Sequence, residues 1–96
     1  MLKDNFKALA NPARIDILVL LSKSGQTGKG KGSSKSGELS VFEIVEKIPL
    51  SPSTISHHLN TLKKAKLVNA RKDKQWIYYS LNRQTLNEVL EFLKKL

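Results

Sequence analysis

The sequence contains no cysteine, and this absence excludes disulfide bonds and thiolate ligands for a metal. Histidine is scarce as well, because His57 and His58 are the only two in the chain. Neighbouring residues on a helix point to different faces, so this pair lacks the spacing of a metal site. We therefore expect neither a bound metal nor a cofactor.

Long apolar runs are also missing from the sequence. None approaches the roughly 18 residues that a membrane-spanning helix requires. The first residues, Met1 to Asp4, lack the apolar stretch of a signal peptide. We therefore expect a cytoplasmic protein with no membrane partner.

Acidic residues are few: eight Asp and Glu stand against 17 Lys and Arg, which leaves a formal charge of +9. This surplus of positive charge favours a polyanionic partner such as nucleic acid. It is also compatible with a protein that binds a membrane surface or with an ordinary soluble protein. The 96 residues suffice for a single compact domain, 1–96, and not for a catalytic domain beside a regulatory one.

Glycine is confined to one segment, because all five glycines lie between residues 24 and 37 together with Ser and Lys and no apolar side chain. Such a composition predicts a flexible loop. Residues 25–31 match the spacing of a phosphate-binding G-x-x-x-x-G-K loop, but Gly32 occupies the position of the magnesium-binding Ser or Thr. The motif also lacks a preceding strand and a following helix, so we favour a loop over a nucleotide site.

Apolar residues recur at helical spacing in most of the remaining chain. An Asn11-Pro12 pair starts a second helix, and Ser51-Pro52 starts a fourth, each with Pro in the first turn. The predicted helices are approximately 2–9, 12–23, 39–47 and 52–65, and a terminal helix that carries Leu86, Val89, Leu90, Leu93 and Leu96.

Between the fourth helix and the last one, the apolar pattern changes to a period of two. Val68 and Ala70 form one segment and 77–81 the next, with the charged residues 71–75 between them. A helix, a tight turn, a Ser-capped helix and a basic hairpin predict a winged helix-turn-helix, mainly α with a small β-hairpin wing. The expected order is α-α-(flexible loop)-α-α-β-β-α.

In that fold, the second helix of the helix-turn-helix enters the major groove of double-stranded DNA, and the hairpin reaches the flanking backbone. Small polar residues near the start of the fourth helix could bond base edges or phosphates, and basic residues could neutralise phosphates. The predicted DNA-binding residues are Ser53, Thr54, Ser56, His57, Asn60, Lys63, Lys64, Arg71, Lys72 and Lys74.

Structural alternatives exist for several of these side chains. Lys63 and Lys64 close the fourth helix, where cations also interact favourably with the helix dipole. His58 follows Ile55 by three residues and precedes Leu62 by four, so we expect it to pack against the domain while His57 faces the DNA.

The sequence resembles the ArsR/SmtB family of prokaryotic winged-helix repressors over nearly its whole length outside the glycine-rich loop. Four stretches carry the resemblance, namely 8–15 (ALANPARI), 38–44 (ELSVFEI), 50–59 (LSPSTISHHL) and 76–81 (WIYYSL). The resemblance implies a repressor that dimerises through its first and last helices and binds an imperfect inverted repeat.

The chain departs from the family where metal-sensing members hold their ligands. Ser40 and Phe42 stand where those members have cysteines, and the last helix, 82–96, contains neither the Asp nor the His of the other family site. We therefore expect no metal sensing by either route, and the effector is unknown. The glycine-rich insertion also exceeds the family's usual connection.

The last helix has a wider apolar face than a domain of this size can cover, which favours a homodimer. The predicted interface residues are Leu2, Phe6, Leu86, Val89, Leu90 and Leu93. One alternative is a winged helix used for protein association or for single-stranded nucleic acid. An enzyme would need the loop at 25–32 to bind nucleotide, and we expect no enzyme.

Overall fold

A computed structural model of the chain describes residues 2–27 and 37–96. In chain order, the elements are α1 Leu2–Leu9, α2 Pro12–Thr27, β1 Leu39–Ser40, α3 Val41–Lys47, α4 Pro52–Lys64, β2 Val68–Asp73, β3 Trp76–Leu81 and α5 Arg83–Lys94. The predicted winged helix-turn-helix is confirmed, with α3 and α4 as its two helices. None of the helices in the described ranges is long and apolar enough to cross a membrane.

Polar side chains fix where the helices begin, because they accept bonds from backbone N–H groups that lack a partner within the helix. Ser51 caps α4 by accepting from the Thr54 amide, as the sequence predicts, and Pro52 follows in the first turn. Ser40 and Glu43 form a capping box at the start of α3. The Ser51 cap marks the end of the tight turn between α3 and α4, and the capping box marks where β1 gives way to α3.

The carboxyl end of α4 turns sharply into the hairpin. The Leu67 amide donates to the Leu62 carbonyl and the Lys66 amide donates to the Lys63 carbonyl, each at 3.0 Å. This is the bonding of a Schellman motif, and Lys66 takes the left-handed conformation at φ 60° that such a motif requires. Leu67 and Val68 are therefore directed straight into the core.

The sheet has a third strand that the sequence analysis missed. Two-residue β1 pairs antiparallel with β3, so that the strand order is β1-β3-β2, with Leu39 opposite Tyr79 and Ser40 opposite Tyr78. We predicted a helix from Leu39, and this is wrong, because Ser40 is extended and caps the helix that follows. Two residues are too few to display the alternation of a strand.

Helix α2 continues to Thr27, four residues beyond the predicted end at Lys23. Ser24, the first residue of the predicted loop, is buried, and its hydroxyl donates to the Leu21 carbonyl at 2.6 Å. The hydroxyl of this small polar residue is thus satisfied by the backbone of its own helix, which allows Ser24 to be buried there. Residues 28–36 of the predicted loop lie outside the described residues. Residues 25–27, where the G-x-x-x-x-G-K motif begins, belong to a helix and do not follow a strand.

The hairpin is also tighter than predicted. Strands β2 and β3 pair in register from Val68 opposite Leu81 to Asp73 opposite Trp76, which leaves only Lys74 and Gln75 in the turn. Arg71 and Lys72 therefore belong to a strand, and the prediction that they lie in the tip loop is wrong. We call residues 68–81 the wing.

One hydrophobic core joins α2, α3, α4 and one face of the sheet. Each fully buried Leu or Ile contributes about 1.5–3 kcal/mol relative to an exposed one. The side chains that are completely inaccessible include Ile17, Ile44, Ile55, Leu59, Leu62 and Leu67. Because α4 supplies three of them, its inner side is fixed on the core and its outer side is presented to solvent.

Candidate nucleic-acid interface

The outer side of α4 carries a continuous stripe of exposed polar residues. The spacing follows the helical repeat, since residues three and four apart lie on the same face. We call this set the outer stripe, and its members are Ser53, Ser56, His57, Asn60, Lys63 and Lys64. The predicted residues of this helix are therefore brought together on one surface, with the exception of Thr54.

Thr54 has a structural task at the helix start. It is half-buried, its hydroxyl oxygen accepts from the Ser51 hydroxyl at 2.8 Å, and its amide donates to the same Ser51 oxygen at 3.2 Å. These bonds serve the cap of α4. Thr54 therefore supports the end of the helix from which Ser53 projects.

The outer stripe has the chemistry that duplex recognition requires. Hydroxyl, imidazole and amide groups can donate to base edges or accept from them, and short side chains allow the helix backbone to approach the groove. No acidic residue occurs between Pro52 and Lys64, so nothing within the helix repels phosphate. Lys63 and Lys64 add positive charge at its carboxyl end.

The two adjacent histidines have different surroundings. His57 is exposed, whereas His58 is 9% exposed, with its Nδ1 3.3 Å from Nη1 of Arg14. Because a guanidinium can only donate, Nδ1 accepts and the neutral ring carries its proton on Nε2. Burial lowers the pKa of His58, and the positive charge of Arg14 and then that of His57 lower it further. His58 therefore packs within the domain, as predicted.

Of the predicted wing cations, Lys72 and Lys74 are exposed. Lys74 lies in the turn with φ 59°. Arg71 is held instead by a carboxylate, because its Nε and Nη2 donate to the two oxygens of Glu38 at 2.9 Å each. Its guanidinium also lies 4.8 Å from the centre of the Tyr78 ring. Arg71, which the sequence predicted to bind DNA, thus has a packing role that was not predicted.

The partner of Arg71 comes from a distant part of the chain. Glu38 precedes β1, which lies beside β3, and it is 33 residues from Arg71 in sequence. Its hydrogen bond raises the pKa of Arg71, and Asp73, 3.8 Å away, adds a second negative charge. No local pattern identifies such a pair, because only the unpredicted strand β1 brings Glu38 to the wing.

An apolar surface lies on α5, a different helix from the one that carries the outer stripe. Leu90 and Leu93 are 47% and 48% exposed. The other predicted interface residues are more covered, since Leu2, Phe6 and Leu86 are half-buried and Val89 is buried within its own chain. Val89 therefore offers little surface to a second chain.

Phe92 is an aromatic residue that the sequence analysis left out of this surface. Its ring lies 5.9 Å from that of Phe6, centre to centre, which joins α5 to α1. Phe92 lies three residues after Val89 and four before Leu96, so the helical spacing of the apolar residues could have identified it.

The positions of the family's metal-binding cysteines hold no metal ligand here. The Ser40 hydroxyl accepts from the Glu43 amide, and Phe42 is 66% exposed with its ring 5.3 Å from that of Trp76. Over residues 2–27 and 37–96, no three His, Asp or Glu side chains cluster as a metal site would need. The donor set at this place does not fit a thiophilic metal.

Comparisons with known proteins agree with this geometry. The sequence profile described as bacterial regulatory protein, arsR family, matches residues 34–70. The transcriptional repressor SdpR of Bacillus subtilis is 36% identical over 94 residues, which cover 94% of this chain and 90% of SdpR. An uncharacterized helix-turn-helix regulator of Methanocaldococcus jannaschii is 34% identical over 91 residues, covering 95% and 89% of the two chains.

Solved structures show the same fold. HlyU from Vibrio cholerae superposes with a TM-score of 0.69 at 33% identity, over 96% of this chain and 86% of HlyU. The crystal structure of an ArsR family transcriptional regulator gives a TM-score of 0.77 over 98% of this chain and 84% of that one. At 19% identity, the latter is a likeness of fold alone.

Proposed function

We propose that this chain, which belongs to the arsR family of bacterial regulatory proteins, represses transcription as a homodimer that inserts α4 of each protomer into one half of an inverted-repeat operator. The chain is a DNA-binding transcriptional regulator, and its relatives are regulators and not enzymes. The observation that carries the proposal is the outer stripe of α4, which is polar, exposed and free of acidic residues.

The residues of the outer stripe divide between two tasks. Ser53, Ser56, His57 and Asn60 are suited to base edges in the major groove, because they combine donors and acceptors on short side chains. Lysines are suited to phosphates, whose contacts fix the register of the protein on the duplex. The proposed phosphate contacts are Lys63 and Lys64 on α4 and Lys72 and Lys74 on the wing.

Salt dependence tests the electrostatic part of this proposal. Several phosphate contacts release several counterions, so the logarithm of the association constant falls by about 0.9 per contact for each unit in the logarithm of salt. The probe is a duplex selected by the protein from random DNA and titrated by fluorescence anisotropy, with its single strand as the control. A slope near zero, or equal affinity for the single strand, would contradict duplex recognition.

The homodimer is supported by the exposed Leu90 and Leu93 and by their continuity with α1 through Phe6 and Phe92. Replacing both leucines by Glu introduces four charges into a symmetric interface and is expected to give monomers with much weaker operator binding. The control is Lys23→Glu at an exposed position of α2. It makes the net charge of each protomer more negative by the same amount as the two leucine substitutions together. Sedimentation should find this control dimeric. A monomeric leucine variant with wild-type affinity for the operator would refute the dimer.

We also propose that Zn(II), Cd(II) and As(III) do not release the DNA. The chain has no thiolate to offer, and the Ser40 hydroxyl serves the cap of α3. Calorimetry should detect no stoichiometric binding. One metal ion bound tightly per protomer, with a loss of operator affinity, would overturn this proposal.

A further inference from the structure

Helix α1 is hydrogen-bonded directly to the carboxyl end of α4. Asn5 is 2% exposed, and its Nδ2 donates to the carbonyl of Ala65 at 2.7 Å. Ala65 is the C-cap of α4, and the last carbonyls of a helix have no acceptor role within it. The Asn5 amide therefore supplies from α1 a bond that α4 cannot supply for itself.

A second connection runs through Arg14, near the start of α2. Its Nε donates to the Ala8 carbonyl at 2.7 Å and its Nη2 to the Lys7 carbonyl at 3.4 Å, both in the last turn of α1. Its Nη1 donates to Nδ1 of His58, in the middle of α4. A guanidinium is planar, so these bonds hold α1 and α4 in one relative orientation.

The two faces of α1 therefore have different partners. Asn5 and Ala8 are buried on the side that faces the domain, whereas Leu2 and Phe6 are half-buried and Phe6 contacts Phe92 of α5. The second side belongs to the proposed dimer surface. Helix α1 thus stands between the dimer surface and α4.

We propose that Asn5 and Arg14 are positioning residues that fix α4 relative to the dimer helices and thereby set the half-site spacing that the dimer accepts. The inference rests on the proposed homodimer and operator. Two α4 helices must enter successive major grooves about 34 Å apart. With both connections in place, α4 cannot pivot about the core to reach half-sites that are closer together or farther apart.

The experiment compares the wild type with Arg14→Lys, which keeps the charge but loses the planar fork, and with Asn5→Ala. The first probe is the duplex selected by the wild type from random DNA. The other probes are the same duplex with one or two base pairs inserted or removed between its half-sites, and a duplex with a single half-site. Arg83→Lys is the control, because Arg83 is exposed on α5.

The wild type should lose on the order of a hundredfold in affinity when altered spacing prevents both half-sites from being bound at once. In both variants this loss should shrink to about tenfold, while single half-site affinity and the dimer stay unchanged. The control should retain the wild-type discrimination.

Weaker binding by the same factor on every duplex would show a merely structural role and would overturn the proposal, as would wild-type discrimination in Arg14→Lys. If Asn5→Ala does not fold, Arg14→Lys decides alone. A wild type that is monomeric or indifferent to spacing would instead refute the dimeric function on which the inference rests.

Discussion

Helix α4 and the wing both carry cations, but the surroundings of those cations differ. On α4, the outer stripe ends in Lys63 and Lys64, and the helix has no acidic residue. On the wing, Arg71 of β2 is bound by both oxygens of Glu38. Positive charge on α4 is thus available to a partner, whereas part of the charge on the wing stabilises the wing.

The difference follows from how each region is supported. Helix α4 buries Ile55, Leu59 and Leu62 completely in the core, so it needs no help from its outer side chains. A two-stranded hairpin is only marginally stable in water without further packing. The wing obtains that packing from β1, which pairs with β3, and from the core, which buries Val68. Arg71 adds to it, because its guanidinium covers Tyr78 and binds Glu38 in the segment before β1.

The largest expected effect comes from the outer stripe. His57→Ala combined with Asn60→Ala should reduce affinity for the selected duplex by about 10- to 100-fold, because a good base contact contributes about 1–3 kcal/mol of discrimination. Affinity for unrelated duplexes should hardly change. Thr61→Ala is the control on the same helix, because Thr61 lies outside the outer stripe and its hydroxyl donates to the His57 carbonyl. Equal losses on both kinds of duplex would contradict base recognition by α4.

The sequence was sufficient to predict α4 because its signals are local. The Ser51 cap, the proline after it and the apolar spacing of Ile55, Leu59 and Leu62 all lie within one helix. The structure of the wing depends on Glu38, which is distant in sequence and is positioned by a strand of two residues. Periodicity cannot reveal such a contact, because it reports which side of an element is buried and not which residue covers it.

The exposed lysines of the wing should have a smaller and less selective effect. Lys72→Gln with Lys74→Gln removes two proposed phosphate contacts, so affinity should fall severalfold on all duplexes and the salt slope should shrink by about two. Lys94→Gln with Lys95→Gln removes the same charge from exposed positions at the end of α5. A slope that shrinks equally in this control would assign the effect to net charge and not to the wing.

Acid should affect α4 through its inner side. His58 has a pKa below its ordinary 6.5 because of burial and Arg14, so its contribution to stability is complete above pH 6.5 and is lost as the pH falls through the lowered value. Protonation removes the acceptor for Arg14 and adds a second cation beside it. His58→Gln retains an acceptor that does not titrate.

Thermal unfolding between pH 5 and pH 8, a range chosen to span the ordinary histidine pKa, measures this effect. The wild type should become less stable in acid, and His58→Gln should show a flatter profile. His57→Gln is the comparison variant: it removes only the third and smallest of the causes that lower the pKa of His58, so its profile should stay closer to that of the wild type than the profile of His58→Gln does. An unchanged profile in His58→Gln would remove His58 from the explanation.

The smallest effect on DNA affinity is expected at Arg71, and this expectation tests the comparison most directly. If Arg71 serves the wing, Arg71→Gln should lower the unfolding temperature, because Glu38 and Tyr78 lose their partner, while the salt slope stays at the wild-type value. Lys72→Gln, the neighbouring exposed cation in β2, should do the reverse: the slope should shrink by about one with no change in unfolding temperature. Arg71→Gln with Glu38→Gln restores the local charge balance, so its slope should also match the wild type. If Arg71→Gln instead shrinks the slope as much as Lys72→Gln does and leaves the unfolding temperature unchanged, Arg71 contacts phosphate. The cations of the wing would then be as available to DNA as those of α4.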